Sequence, residues 1–198
     1  MTKKSIKGMR DNRWYLNIMS PNTKGEKFAW LDPTSIYINT NAFIDLLDDL
    51  LDDLEEIDCD VVAGIDAMGF VLGSALAHEL CLPFAMVRKK GAKYPGKLLE
   101  ESYELEYGTD TLTLQEGILG HTSRILIADD LIATGGSMIA TKKLIEKTGA
   151  IVEGAVTIIN LKYLNKPELG AIDISSALEL SLIHISEPTR LRRMSYAV

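Results

Sequence analysis

Arg124-Ile125-Leu126-Ile127-Ala128-Asp129-Asp130-Leu131-Ile132-Ala133-Thr134-Gly135-Gly136-Ser137-Met138 is the stretch that decides the fold. The apolar run Ile125 to Ala128 has the composition of a buried strand, and two adjacent carboxylates end it. A turn of small residues, Ala133-Thr134-Gly135-Gly136-Ser137, then opens a helix. Backbone N–H groups of such a turn form a cradle for phosphate. Acids at the carboxyl end of a parallel strand lie where open α/β sheets bind ligands. Asp129 and Asp130 repel phosphate, so a ribose diol or a magnesium ion suits them instead. Phosphate, sugar diol and metal together describe a phosphoribosyl group. The run lacks the Gly-x-x-x-x-Gly-Lys-Ser/Thr spacing of a P-loop and the Gly-x-Gly-x-x-Gly of a dinucleotide fold.

Outward from this run the chain alternates strands with helices. Asn41 to Ile57 places apolar side chains at Phe43, Ile44, Leu46, Leu47, Leu50, Leu51, Leu54 and Ile57. That is helical periodicity, with Asp48-Asp49 and Asp52-Asp53 on a solvated outer face rather than at a metal site. Asp60 to Ile65 reads as a short buried strand. Asp66-Ala67-Met68-Gly69 and a helix through about Leu80 follow, then a strand from Pro83 to Val87. A basic loop leads to strands around Ser102 to Glu106 and Thr111 to Gln115. A helix from Gly136 to Lys147 and a strand from Ile151 to Asn160 complete the series. The alternation predicts an α/β fold, a mostly parallel twisted sheet flanked by helices on both faces. The first forty residues are irregular.

Composition narrows the function classes. The chain has 198 residues, 46% of them hydrophobic and 25% charged, as in an ordinary globular protein. A net charge of −7 argues against a nucleic-acid surface, and no apolar run is long enough for a membrane helix. An anionic substrate must meet a local basic patch, and Arg88-Lys89-Lys90-Gly91-Ala92-Lys93 is the candidate. Cys59 and Cys81 lack metal-ligand spacing and read as reduced core residues of a cytoplasmic protein.

The segment Val87-Arg88-Lys89-Lys90-Gly91 through Ser102-Tyr103-Glu104-Leu105-Glu106-Tyr107-Gly108-Thr109-Asp110 resembles the flexible loop of the adenine phosphoribosyltransferase family. With Gly64-Ile65-Asp66-Ala67-Met68-Gly69-Phe70 and the opening run, the resemblance covers about residues 28–179. It implies the type I phosphoribosyltransferase fold, with residues 1–40 as a small hood carrying base specificity and 41–179 as the core. It also implies a homodimer, magnesium, and transfer of the phosphoribosyl group of phosphoribosyl pyrophosphate (PRPP) to adenine. Asp129 and Asp130 would hold the ribose hydroxyls and support the metal. Ala133, Thr134, Gly135, Gly136 and Ser137 would hold the 5′-phosphate. Asp66, Ala67, Met68 and Gly69 would cradle pyrophosphate, with a cis peptide expected between Asp66 and Ala67. Arg88 and Lys89 would neutralise its charge.

Glu106 is the expected acid–base at the purine, with Tyr107 closing over the site. At the base, Trp30 would stack opposite Leu131, while the Ala29 and Leu31 backbones read its hydrogen-bonding edge.

Two departures from the family pattern bear on this. Met68 stands where the family usually has arginine, which predicts weaker PRPP binding unless Lys90 or Lys93 substitutes. The family's N-terminal base-pocket pattern is reduced to Phe28-Ala29-Trp30-Leu31-Asp32-Pro33-Thr34. Another purine such as xanthine or hypoxanthine is therefore an alternative acceptor. A PRPP- or nucleotide-binding regulatory protein without turnover is the alternative from another class. Finally, Leu180-Ser181-Leu182-Ile183-His184-Ile185-Ser186-Glu187-Pro188-Thr189-Arg190 resembles the translation of a sequencing-library transposase adaptor. Residues 180–198 are therefore set aside as non-native. Their Arg190, Arg192 and Arg193 outweigh Glu187 by two charges, so the net −7 becomes −9 without them.

Overall fold

The computed structural model describes residues 13–24, 27–91, 95–105 and 108–180, of which 21–24 and 27–30 are described as backbone. The tail set aside from the sequence lies, beyond Leu180, outside the described residues. So do Glu106, Tyr107 and Lys93.

A seven-stranded sheet organises the chain, in the order β5-β6-β4-β3-β7-β8-β9. Its parallel part comprises β3 (Val61–Ile65), β4 (Phe84–Lys89), β7 (Arg124–Ile132), β8 (Ile151–Asn160) and β9 (Ile174–Glu179). β5 (Leu98–Leu105) and β6 (Gly108–Gln115) form an antiparallel hairpin that joins through β6 to β4. The hairpin strands are longer than the sequence suggests, because their pairing runs without a break from Leu98↔Gln115 to Leu105↔Gly108.

α2 (Thr40–Asp53) and α3 (Met68–Glu79) cover one face and α4 (Gly136–Glu146) the other. The Asn39 side chain starts α2 by accepting the Ala42 N–H at 3.1 Å. Leu46 and Leu50 of α2 are fully buried with Leu72 and Leu76 of α3. On the opposite face Ile125 and Ile127 pack with Met138, Leu144 and Ile145. Each buried leucine or isoleucine contributes about 1.5–3 kcal/mol, so a core cluster on each face holds the sheet between the helix layers.

β7 differs from its reading in the sequence. It continues past Ala128 to Ile132, because Leu131 and Ile132 keep pairing with Ile159 and Asn160 of the long buried strand β8. Asp129 and Asp130 therefore lie within a paired strand, not beyond its end.

The irregular N-terminal region has structure of its own. A 3-10 turn at Trp14–Ile18 precedes a two-stranded antiparallel ribbon of β1 (Ser20–Lys24) and β2 (Lys27–Asp32), then the short α1 (Thr34–Tyr37). This segment corrects in part the expectation of a solvated acidic face on α2, since Asp52 and Asp53 are exposed but Asp49 is taken up by Tyr15. Trp14 Nε1 donates to Asp45 at 2.7 Å, the Tyr15 hydroxyl donates to Asp49 at 2.7 Å, and Arg13 pairs with Asp53 at 3.2 Å. The acids anchor a neighbouring segment whose aromatic bodies seek burial, and Tyr15 is 1% exposed. Burial and the Asp49 carboxylate push the Tyr15 phenol well above its ordinary pKa. Cys59 is half-buried and Cys81 exposed, in the left-handed turn (φ 56°) that ends α3, so Cys81 is not a core residue. No helix among the described residues is long and apolar enough to cross a membrane.

Candidate active site

The chain leaves β3 through α3 to β4 on one side, and later leaves β7 through α4 to β8 on the other. The two loops at the carboxyl ends of β3 and β7 therefore diverge, and a crevice opens between them. Such a switch point is where open α/β sheets place ligands. Both turns singled out in the sequence end there.

The first turn joins β3 to α3, and its Asp66–Ala67 peptide is cis. The Asp66 carboxylate accepts the Lys89 backbone N–H at 3.3 Å, linking the turn to the end of β4. Gly69 is buried against β7. A Cβ at that position would stand 2.5 Å from the Ala128 carbonyl oxygen and 3.3 Å from Asp129 Oδ1. Only glycine lets the turn approach the acid pair this closely. Met68 begins α3 and is half-buried.

The second turn follows β7. Gly135 sits at φ 81°, and a Cβ there would meet the Leu169 side chain at 2.8 Å. The Thr134 hydroxyl accepts the Gly136 N–H at 3.4 Å, and Ile139 N–H closes the first helical bond onto the Gly135 carbonyl at 2.9 Å. Gly136, Ser137 and Met138 thus carry N–H groups at the start of an 11-residue helix, where the helix dipole favours an anion. The Tyr103 ring and the Glu104 carbonyl pack against Gly136, 3.3 and 3.4 Å from where its Cβ would be.

Between the turns stand the acids. Asp129 is 8% exposed, and its Oδ1 accepts the Asp130 N–H at 3.0 Å. Burial first, and the Asp130 charge second, push the Asp129 carboxyl well above the usual carboxylate range. Burial also raises Asp130. The two carboxyls interact with each other and both act on the Tyr37 phenol, but their other neighbours differ. Lys89 and Tyr103 act on Asp129, whereas Asp32 interacts with Asp130. The Tyr37 hydroxyl is buried with no hydrogen-bond partner among the described residues, its ring edge-on to Phe43 at 5.5 Å.

Strand alternation divides the basic run. Lys89 lies on the α4 face of β4, in line with buried Val87, and its Nζ is 3.9 Å from Asp110. Arg88 and Lys90 take the other face, where Lys90 pairs with Glu100 at 2.8 Å. The three residues do not form one patch, and Lys90 pairs with Glu100 rather than with the Asp66–Gly69 turn.

On the hood side, Leu31 is 5% exposed and belongs to the core layer against which Leu131 and Ala133 pack. Ala29 and Trp30 are in β2, with Trp30 opposite Asn22. The stacking expected of the Trp30 side chain lies outside the described atoms, as do the roles of Glu106 and Tyr107. Tyr103, Asp110 and Tyr37 are site neighbours that sequence reasoning did not single out. Tyr103 and Asp110 stood inside the quoted loop stretch, but their cross-strand pairing is set by the hairpin register and carries no local signal. A separate cavity of about 440 Å³, lined by Asn160, Lys162, Asn165, Lys166 and Glu179 among others, lies behind the phosphate turn. Lys166 N–H donates to the Thr134 carbonyl at 3.0 Å at that wall.

Among the described residues no group of three or more His, Cys, Asp or Glu is arranged to hold a metal. Two adjacent carboxylates suit magnesium, which keeps several waters and takes further oxygens from phosphates. The raised pKa values fit as well, since a divalent cation would return both acids to the charged form.

A parallel sheet whose switch point sets an acid pair between two phosphate-type turns defines a phosphosugar- or nucleotide-binding α/β protein. The phosphoribosyl transferase domain family matches residues 34–190, and the chain belongs to that family. The last matched residues fall within the segment set aside as non-native. The chain is 43% identical to the adenine phosphoribosyltransferase of Brachyspira hyodysenteriae over 149 residues, 75% of this chain and 86% of that protein. It is 44% identical to that of Chromohalobacter salexigens over 139 residues, 70% of this chain and 74% of the relative. The crystal structure of the Thermoanaerobacter pseudethanolicus adenine phosphoribosyltransferase is 33% identical. It superimposes with a TM-score of 0.78, covering 84% of this chain and 98% of that one.

Proposed function

We propose that this chain transfers the phosphoribosyl group of PRPP to adenine, giving AMP and pyrophosphate. The observation that carries the reading is the adjacent Asp129–Asp130 pair, the first buried and the second half-buried, between the Gly69 turn and the Gly135–Gly136 turn. The acceptor rests on the relatives, which are named as adenine phosphoribosyltransferases.

In this reading the bond from adenine N9 to the anomeric carbon forms as the carbon–oxygen bond to pyrophosphate breaks. The proton carried at N7 passes to the Glu106 carboxylate. Asp129 and Asp130 hold the ribose hydroxyls. The N–H groups from Ala133 to Ser137, with the Thr134 and Ser137 hydroxyls, hold the 5′-phosphate. The Asp66–Gly69 backbone and the Arg88 and Lys89 cations meet the pyrophosphate. Trp30 and Leu131 sandwich the base, Ala29 and Leu31 read its edge, and Tyr107 closes over it to exclude water. Magnesium, when bound with PRPP, supplies positive charge to the leaving pyrophosphate. Residues 1–40 serve as the base-specificity hood and 41–179 as the core. A homodimer and a cytoplasmic location complete the reading.

The test is pyrophosphate release, with magnesium and PRPP, across adenine, hypoxanthine, guanine and xanthine. Release with adenine alone is expected. Release with another base but not adenine would replace the acceptor, and PRPP binding without release for any base would make the chain a binding protein. Met68→Arg in the same assay should lower the KM for PRPP, because the guanidinium adds a charge-assisted contact to pyrophosphate.

A further inference from the structure

Lys89 is a cation whose charge acts on Asp129, and it does not stand alone. Asp110, on the neighbouring strand β6, lies on the same α4 face, two residues from Leu112, which pairs with Lys89. Its carboxylate is 3.9 Å from the Lys89 ammonium and accepts the Tyr103 hydroxyl at 3.3 Å. Its other oxygen accepts the Thr111 N–H at 2.8 Å, so the carboxylate is fixed from two sides. Tyr103, directly opposite Asp110 in the hairpin, presses its ring against Gly136 in the phosphate turn. The Lys89 backbone, in turn, donates to Asp66 in the pyrophosphate turn. A chain of contacts therefore runs from one phosphate-type turn to the other, with the Lys89 ammonium in its middle.

A carboxylate beside a polyanion site is unfavourable unless it does something for a cation. A lysine on a four-carbon stem is flexible and loses much rotamer freedom when it binds. The fixed Asp110 restricts that freedom beforehand. At 3.9 Å the pair is at the outer limit of an ion pair, and Lys89 is more than half exposed, so the ammonium remains available to an incoming anion. The phenol of Tyr103 is held up to about 12 by burial first, then by Asp110, so it stays a hydrogen-bond donor across the working pH range.

We propose that Asp110 is a positioning residue that acts through Lys89, holding its ammonium on the α4 face of the sheet, where it meets the pyrophosphate of PRPP. The proposal rests on the PRPP reading above. The loss of an arginine-type cation at Met68 makes it matter more, since Lys90 is tied to Glu100.

The experiment is calorimetric titration of the full chain with PRPP and magnesium, for wild type, Asp110→Asn, Lys89→Ala and the double variant. Asp110→Asn should weaken PRPP binding about five- to tenfold, with its melting temperature close to that of wild type. Lys89→Ala should weaken it further. The double variant should bind within about twofold of Lys89→Ala, because the carboxylate then has no ammonium to place. Asp110→Glu should recover part of the affinity, which a purely structural role in the hairpin would not predict. Unchanged or tighter binding by Asp110→Asn would overturn the proposal. So would an undiminished loss in the Lys89→Ala background. A wild type that binds no PRPP would overturn the reading on which the proposal rests, and the proposal with it.

Discussion

The two ends of β7 carry acids in opposite circumstances. At its amino end, Arg124 bonds Asp60 through its guanidinium at 2.8 Å and its backbone N–H at 2.9 Å, and pairs with Asp58 as well. The first cause, the Arg124 side-chain bond, holds Asp60 down to about 2. At its carboxyl end, buried Asp129 stands next to half-buried Asp130, and their carboxyls rise instead. One strand thus begins with charge that is matched and wet, and ends with charge that is crowded and dry. Matched charge fastens the loop before β3 to the sheet. Crowded charge is unfavourable in the unliganded protein and is kept for what binds there.

The largest expected effect is at the crowded end. Asp130→Asn should lower turnover by two to three orders of magnitude, roughly what loss of one organised electrostatic contact costs, while circular dichroism stays native. Turnover within a factor of about three of wild type would break the contrast. Next comes Gly69→Ala. The new Cβ meets the Ala128 carbonyl at 2.5 Å, a backbone atom that cannot step aside. A destabilisation of about 2 kcal/mol or more in urea unfolding should accompany loss of PRPP binding.

Asp129→Asn sharpens the comparison from the stability side. Because the folded pKa of Asp129 lies above its unfolded value, ionisation disfavours the fold at all pH values above that range. The amide should raise the melting temperature at pH 7 while removing activity. A lower melting temperature would show that the pair is structural.

The smallest effect belongs to the matched end. Asp60 titrates lower in the folded chain than in the unfolded one, so its contribution is present above about pH 3.8 and is lost as pH falls towards 2. Asp60→Asn should leave a shallower fall in stability across that window, read by acid titration of the circular dichroism signal. Asp60 is exposed and screened, so the change will be modest. Arg124 and Asp60 pair at the amino end of β7, away from the acid pair at its carboxyl end, so activity should not change.

Much of the fold was legible because local patterning and burial coincide. Ile151 to Asn160 reads as a strand in the sequence and is one in the structure, with every residue from Gly154 onward buried. The helix expected at Gly136 opens there, since Gly135 has the positive φ that a side chain would resist. Helix ends were less legible. The periodicity of α2 reaches Ile57, yet the helix stops at Asp53, because which apolar residues stay helical depends on what they pack against.

The candidate site divides in the same way. Asp129, Asp130 and the small-residue turn could be read because each chemical need maps onto neighbouring residues. The Lys89–Asp110–Tyr103 contacts could not, since they join residues from three strands through register alone. Nor could the division of Arg88 and Lys90 from Lys89, which follows once β4 is known to run to Lys89 and the Lys90 N–H to bond the Thr111 carbonyl just beyond it.

By itself the sequence determined the alternation of strands and helices, the acid pair and the small-residue turn that opens a helix with free-facing N–H groups suited to an anion. These follow from periodicity and residue chemistry along a few consecutive positions. Only the tertiary structure decided that β3 and β7 are neighbours, and so that Gly69 reaches Asp129. It also decided that Asp129 is buried and Asp130 half-buried, and that the Lys89 charge acts on Asp129. Strand order and register are settled by how the two core layers close on the sheet, and no short stretch of chain contains that information.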